Sequence, residues 1–517
     1  MKRHARTGVQ ETMQRCAKLF SLTVIALAVS GCAVSTEQVD RATSQQRAQA
    51  DLQAMFSHQD PVTGPITLQE ATARALKYNL EARLKIMETA LAEQQVSLAR
   101  FDMLPKMAAD AGYVTRDNIS ASSSRSVETG QQSLEPSTSQ DKTRRVADLT
   151  MVWNILDFGV SYVTAHQQSD KRWIAEERRR KVTHTIVQDV QSAYWRAVAA
   201  ERLLSRIDKL IGRVNMAREN SEKMTAQKVG DLVEAYSYQR ALLDATRQLE
   251  EQRRALSLAK TELATLMNLP LETRYTLALP DENNLPEPTL NIPFEQLETT
   301  ALINRPELRE EDYQARISAA ETRKSLLRML PGIEVNVGGN YDSNSFLVNQ
   351  SWVDAGVKVT WNLFNLFSGP AAYDVAQAGE TVGEARRQAM SMAVLAQLYV
   401  ARANFNEAAR QYRTGKELQK LDVSILAQLN NRYKAGSIGE LQLIQGELNA
   451  VNTSLRNDLA YAELRNAWGQ IFVTAGLDPL PPGQKTSDIP SVERALQQSE
   501  KQWQSGEVAM QTTGAAK

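Results

Sequence analysis

The sequence predicts an internally duplicated α+β membrane protein. Four β-strands per chain are pooled between copies into one closed barrel, continuous with a long helical coiled coil. Three observations predict this: a repeated order of motifs, a long proline-free heptad stretch in each half, and four alternating segments of matched length. Leu104-Pro105-Lys106 recurs as Leu330-Pro331-Gly332, and Trp153-Asn154 recurs as Trp361-Asn362. Lys228-Val229-Gly230-Asp231-Leu232 recurs as Lys434-Ala435-Gly436-Ser437-Ile438, and Asn268-Leu269-Pro270 recurs as Gly476-Leu477-Asp478-Pro479. The offsets are 226, 208, 206 and 208 residues, so the first half carries one insertion of about 18 residues between its two strands.

The chain begins with a targeting segment. Lys2, Arg3, Arg6, Arg15 and Lys18 precede an apolar run from Leu19 to Val29, too short to span a bilayer as a helix. The run ends in Val29-Ser30-Gly31-Cys32, which reads as a lipobox with Cys32 as the lipid-bearing residue; Met13 is an alternative start. Residues 1–31 are thus a lipoprotein signal peptide. Residues 32–64 are a lipidated, extended lead-in, polar and rich in Gln. With 60 basic and 60 acidic residues the whole chain is neutral, which gives no electrostatic footprint for nucleic acid. Loss of the signal leaves 55 against 59, and Cys32 as the one cysteine, so no disulfide forms within a mature chain.

Residues 65–290 form the first repeat and 291–480 the second. Ile66 to Met103 is helical by period up to the break at Pro105, and 294–328 repeats it. From Val160 to Val229 no proline occurs, enough for a rod of roughly 100 Å at ~1.5 Å per residue. Ile186, Val190, Ala193, Ala197, Ala200, Leu204, Ile207, Ile211 and Val214 keep a four-three spacing along it. Val394, Leu398, Ala401, Phe405, Ala408 and Tyr412 keep it in the second half. Each rod reverses at a glycine, Gly230 or Gly436, into a return helix over 232–267 or 440–473. Each repeat therefore builds one continuous column and one column in two pieces. The tail, 481–517, is polar and expected to be disordered.

Four segments alternate instead. Ile333, Val335, Val337 and Tyr341 oppose Glu334, Asn336 and Asn340, while Val353, Ala355, Val357, Val359 and Trp361 oppose Asp354, Lys358, Thr360 and Asn362. In the first half Met107, Ala109, Ala111 and Tyr113 oppose Asp110 and Arg116, and Ala147, Leu149, Met151 and Trp153 oppose Asp148, Thr150 and Asn154. About 9–11 residues is the length a tilted membrane strand needs. An open sheet edge in hydrocarbon leaves backbone groups unpaired, so the sheet must close, and four strands are too few to close alone. Two copies would give eight strands and three would give twelve, with Asp110, Glu334, Asp354 and Lys358 lining a wet lumen.

The duplicated plan, Trp153-Asn154 leading into Asp157-Phe158-Gly159, Trp361-Asn362 leading to Phe367-Ser368-Gly369, and Asn304-Arg305-Pro306-Glu307-Leu308 opening the second half resemble the TolC-type outer-membrane factors. With Cys32 the resemblance is to their lipoprotein branch, over about residues 65–480. It implies a homotrimer: a twelve-stranded barrel in the outer membrane of a Gram-negative bacterium on a twelve-helix periplasmic tunnel. It also implies docking to a periplasmic membrane-fusion adaptor and an inner-membrane transporter, of the RND or ABC class, for efflux or type I secretion. The tips Gly230, Asp231, Gly436 and Ser437 would meet the adaptor. Gln442 and Gln445 would line the periplasmic aperture, where the family often has acidic residues, and Arg432 and Tyr433 would latch neighbouring helices.

Nothing in the chain reads as catalysis or as a metal site, and beyond lipid on Cys32 no cofactor is expected. His58, His166 and His184 are scattered, and Glu176-Glu177-Arg178-Arg179-Arg180-Lys181 reads as a solvated helix face. Two rival functions stay open: a lipid-anchored coiled-coil tether with soluble hairpins and no channel, and an envelope hydrolase with an unrecognised site.

Overall fold

The computed structural model describes residues 38–57, 59–227, 231–281, 285–481 and 483–507. It divides into Met1–His58 and Gln59–Lys517. The first unit contains one helix, α1 (Arg41–Met55), capped by Asp40, whose carboxylate accepts from the backbone N–H of Ala42 and Thr43. The expected extended lead-in is therefore helical over these positions; a side-chain cap and a run of Gln and Ala outweigh the polar composition.

The second unit is two copies of one plan. In the first, α2 (Leu68–Tyr78) and α3 (Leu80–Phe101) lead into β1 (Lys106–Thr115). The short pair β2 (Ala121–Ser122) and β3 (Ser137–Thr138) lies in the inserted loop, followed by β4 (Thr143–Asn154), α4 (Ile155–Ala226) and α5 (Leu232–Leu266). In the second, α6 (Phe294–Asn304) and α7 (Pro306–Leu327) lead into β5 (Gly332–Asp342) and β6 (Ser351–Thr360), then α8 (Asn365–Lys434) and α9 (Glu440–Thr474). Corresponding helices match in length: 11 and 11 residues, 22 and 22, 72 and 70, 35 and 35. At ~1.5 Å per residue the two long helices are each about 105 Å.

The long helices α4 and α8 are the two columns on which the rest of the second unit packs. In one half they alternate with α3 and α7, in the order α3–α4–α7–α8. In the other they alternate with the return helices, in the order α5–α4–α9–α8. The heptad positions do what their spacing predicts: Ile186, Val190, Ala193, Ala197, Ala200, Ile207 and Val214 are buried, as are Val394, Leu398, Ala401, Phe405, Ala408 and Tyr412. Their alanines let the backbones approach closely.

The expected single helix over 66–103 is broken at Asn79, which leaves helical geometry with ψ 128° and caps α3 by accepting from Glu81 and Ala82 N–H. The counterpart break falls at Arg305, held extended by the following Pro306. The expected disordered tail is instead α10 (Ile489–Ser505) over much of its length, docked on α2. Ile489, Val492 and Leu496 are buried, Trp503 stacks on Phe472 at 4.6 Å, and Glu493 and Glu500 accept from Thr67 and Gln69. A polar composition hid a three-four apolar stripe.

Candidate functional site

The candidate surface has two parts, and the first is the sheet. The strand order is β1-β4-β5-β6, antiparallel throughout. The register places Asp110 opposite Asp148, Asp148 opposite Asn340, Glu334 opposite Lys358, and Gly338 opposite Asp354. Directly paired residues share a face, so the four polar rows predicted strand by strand merge into one polar face. The other face carries Met107, Leu149, Met151, Val337, Val353 and Val357. Glycines make room on the polar side: a Cβ at Gly338 would lie 2.6 Å from Asp354 Oδ1, and one at Gly356 would lie 2.7 Å from Asn336 Oδ1. β1 and β6 are the sheet's outer strands, each with one unpaired edge in the chain. At the end of the sheet Arg144 of β4 pairs with Asp342 of β5 at 2.8 Å, and beyond it Asp141 accepts from the N–H and hydroxyl of Ser345, tying the two strand-connecting loops together.

The second part is the opposite end, where α8 reverses into α9. Gly436 has φ +70°; its N–H donates to Tyr433 O at 2.9 Å, and Ser437 N–H donates to Arg432 O at 2.9 Å. This pair of bonds is a Schellman ending, which requires the left-handed residue that glycine supplies without strain. Ser437 Oγ adds a further bond to Arg432 O. At the other reversal Asp231 caps α5 by accepting from Val233 N–H at 2.8 Å, while Gly230 lies outside the described residues. Gln442 and Gln445 are exposed on one face of the first turns of α9, with Leu443 and Ile444 buried on the other. Tyr433 is exposed, and Arg432 contributes its carbonyl to the turn. Above the turns the helices of the two repeats pack on one another. Burial, with Glu440 and Tyr433 adding to it, pushes the Tyr238 phenol upward, while Arg213 pairs with Glu447 and Gln252 donates to Asn452. Cys32 lies outside the described residues.

Between the two ends sits a joint. Each return helix ends on a left-handed residue, Asn268 (φ 55°) or Gly476 (φ 70°), with the same pair of reverse bonds: Asn268 N–H to Thr265 O and Leu269 N–H to Ala264 O, and Gly476 N–H to Val473 O and Leu477 N–H to Phe472 O. The recurring Asn268-Leu269-Pro270 and Gly476-Leu477-Asp478-Pro479 motifs are these endings. Each break before the next helix donates into the helix end beside it, Asn79 to Leu266 O and Arg305 to Val473 O.

Around the second joint one side of the charge run turns inward: Arg178 and Lys181 stay exposed, as a solvated face would be, but Glu177 is buried and Arg180 half-buried. Glu177, its side chain 2% exposed, binds both Arg180 and Arg309; Arg180 also binds Asp478, and His184 hydrogen-bonds Asp478 at 2.8 Å. Arg305 pairs with Glu307 at 2.7 Å, and Lys181 reaches Glu307 at 3.3 Å. Burial alone would raise the Asp478 carboxyl, but the His184 hydrogen bond and the Arg180 charge outweigh it and hold it below the usual carboxylate range. Glu307 is held low in the same way by Arg305 and Lys181 against its burial. α7 supplies the opposing charges from more than a hundred residues away, which no local pattern in the run announces.

In three dimensions the chain has the fold of outer-membrane channels. The Campylobacter jejuni CmeC outer membrane channel superposes with a TM-score of 0.64 over 90% of this chain and 96% of that one, at 14% identity. The open state of the Neisseria gonorrhoeae MtrE outer membrane channel gives 0.61 over 80% and 89%, at 18% identity. VceC, an outer membrane protein of Vibrio cholerae, gives 0.57 over 79% and 96%, at 14% identity. No protein-family model and no curated protein sequence matches the chain. The resemblance read from the repeated motifs is thus met at the level of the fold.

Proposed function

We propose that this chain is the outer-membrane channel of a tripartite export system, a passive gated duct fed by a periplasmic adaptor and an inner-membrane transporter. The observation that carries the proposal is where the molecule leaves itself unfinished. α3 runs into β1, and β6 runs into α8, so each margin of the protomer is a strand edge continued by a helix. Along α3 the exposed residues Leu80, Leu84, Met87, Leu91, Leu98 and Phe101 keep coiled-coil spacing, and α8 exposes Val375, Val382 and Met392. The two margins differ, so copies join head to tail, an arrangement that closes when the rotation does. Three copies give the twelve-stranded barrel and helical tunnel implied by the resemblance, with the polar sheet face inward. The lipid on Cys32 adds a second membrane attachment.

The same reading places Gln442 and Gln445 at the aperture, where two neutral amides filter by size and hydrogen bonding instead of by charge. It places the Gly230-Asp231 and Gly436-Ser437 turns against the adaptor. The energy for transport comes from the inner-membrane partner, and that partner sets the cargo. Planar-bilayer recording on the purified mature protein tests the reading. A stable trimer with discrete single-channel conductance supports it. A trimer without conductance favours a lipid-anchored tether. Gln442→Asp with Gln445→Asp raises cation preference if these residues line the aperture, and unchanged selectivity removes them from it.

A further inference from the structure

The duplicated plan lets one repeat show what the other lacks. Along the seam of α8 and α9 lies a groove of about 380 Å³, lined by Gln397, Val400 and Asn404 of α8 and Glu463, Asn466 and Gln470 of α9, among others. Asn466 Oδ1 and Gln470 Oε1 are both buried, and neither has a hydrogen-bond partner. A buried acceptor without a donor is unfavourable, and two of them one helical turn apart ask for donors from outside the chain. Glu463, exposed on the same helix one turn before Asn466, supplies negative charge at the mouth.

The first repeat has the corresponding seam between α4 and α5, displaced by 208 residues, the offset that relates Trp153 to Trp361 and Asn268 to Gly476. There the position of Asn404 is Arg196 and the position of Gln470 is Glu262, and the two pair at 2.9 Å. At this position the first repeat thus supplies its own guanidinium, in a solvent-exposed pair with Glu262. At the second, Asn404 replaces the guanidinium and Gln470 replaces Glu262, while Asn466 and Glu463 stand where the first repeat has Leu258 and Ala255, so the amide oxygens and the carboxylate at the mouth belong to the second repeat alone.

On α8 the groove residues lie on the opposite side of the helix from Tyr399 and Arg402, which pack on Phe294 of α6. In the proposed tube with α6 on its outside, the groove side would be the inner wall. We infer that this groove is a binding site on the inner wall for an organic cation bearing N–H donors, a guanidinium or primary ammonium compound, which takes the place Arg196 holds in the first repeat. A planar guanidinium presents several donors at once, which suits two amide oxygens and a carboxylate. The inner-wall placement rests on the channel reading, whereas the cation preference rests on the groove itself.

The test is equilibrium dialysis of labelled butylguanidinium against the purified full chain in detergent, with neutral butylurea of the same shape as control and conductance recorded separately. The expected result is saturable binding of one cation per chain, with butylurea at least ten-fold weaker. Asn404→Arg, which returns the internal guanidinium, and Glu463→Gln should each weaken binding at least ten-fold, with helical content and oligomeric mass unchanged. Absence of saturable binding would mean that water alone fills the groove, and equal binding of butylurea or full binding by Asn404→Arg would equally overturn the inference. Binding without conductance would count against the channel and leave the groove standing, and conductance without binding would do the reverse.

Discussion

Two seams of the same design differ in chemistry. Inside the chain, α4 packs on α7 through polar and charged groups: Gln167 donates to Ile317 O and Glu321, Lys324 donates to Gln167, Arg178 pairs with Glu310, and Arg309 with Glu177. The duplication gives α4 and α7 counterparts in α8 and α3, which are the protomer's two outer margins. Gln167, Ile174, Glu177 and His184 correspond to Val375, Val382, Ala385 and Met392; Glu310, Tyr313, Ile317 and Lys324 correspond to Leu84, Met87, Leu91 and Leu98. The inner seam carries ion pairs and buried amides beside apolar contacts such as Trp173 on Tyr313, whereas those margin positions are all apolar. A charged seam suits helices that the chain itself holds together, because its register is fixed by specific pairs. An apolar one suits subunits that must associate from solution and stay, as obligate interfaces do.

The largest effect should come from the outer margin. Leu84→Lys with Leu91→Lys puts two charges into the apolar stripe, each Leu being worth roughly 1.5–3 kcal/mol when buried. The assembled species should vanish, as read by mass in detergent, while helical content stays. A full-size assembly would break the contrast between the seams. At the inner seam, Glu177→Ala strips Arg180 and Arg309 of a shared buried partner and should cost about 3–5 kcal/mol. Thermal unfolding measures it, and an unshifted midpoint would return the charge run to the solvated role first expected of it.

The same joint has an acid limb. The Asp478 and Glu307 carboxyls sit below their ordinary values in the folded state, so their contribution is complete above the unfolded values near pH 4. It is lost as pH falls through the lowered folded values. Urea unfolding between pH 6 and pH 2.5 should therefore show a flatter acid decline in Asp478→Asn than in the parent, and parallel curves would remove Asp478 from the network. The smallest effect separates the two helix endings. Gly476→Ala puts a Cβ 2.7 Å from Arg305 N at φ +70° and should cost about 1–3 kcal/mol, whereas Asn268→Gly, at a position already left-handed, should cost less. Equal effects would mean that the close approach at Arg305 yields.

What the sequence discloses is what has a short period. The alternation at 333–341 and 353–361 carries the strands, and the four-three spacing from Ile186 to Val214 carries the long helix. Gly436 carries a turn whose hydrogen bonds are those of its motif. Duplication then settles the order of elements, since each motif has a second copy to be read against. Groups whose environment is set at long range escape this reading. Glu177 and Arg180 look solvated until Arg309 and Asp478 are brought beside them. The tail is different, because its signal is local: Ile489, Val492 and Leu496 mark one helix face and Pro490 suits a first turn, yet overall polarity masks them. Asn79, with Glu81 two residues on, likewise carries a capping signal inside a stretch whose period alone reads as continuous.

The outer-margin claim can be tested at a single contact. Gln167 donates to Ile317 O across the inner seam, so its counterparts Val375 and Leu91 should face each other between copies. Cysteines at both positions in one chain, oxidised in the native membrane and run without reductant, should give a ladder of two and three chains that ends at three when the ring closes. Exclusively monomeric chains, or a ladder that climbs without limit, would contradict the account.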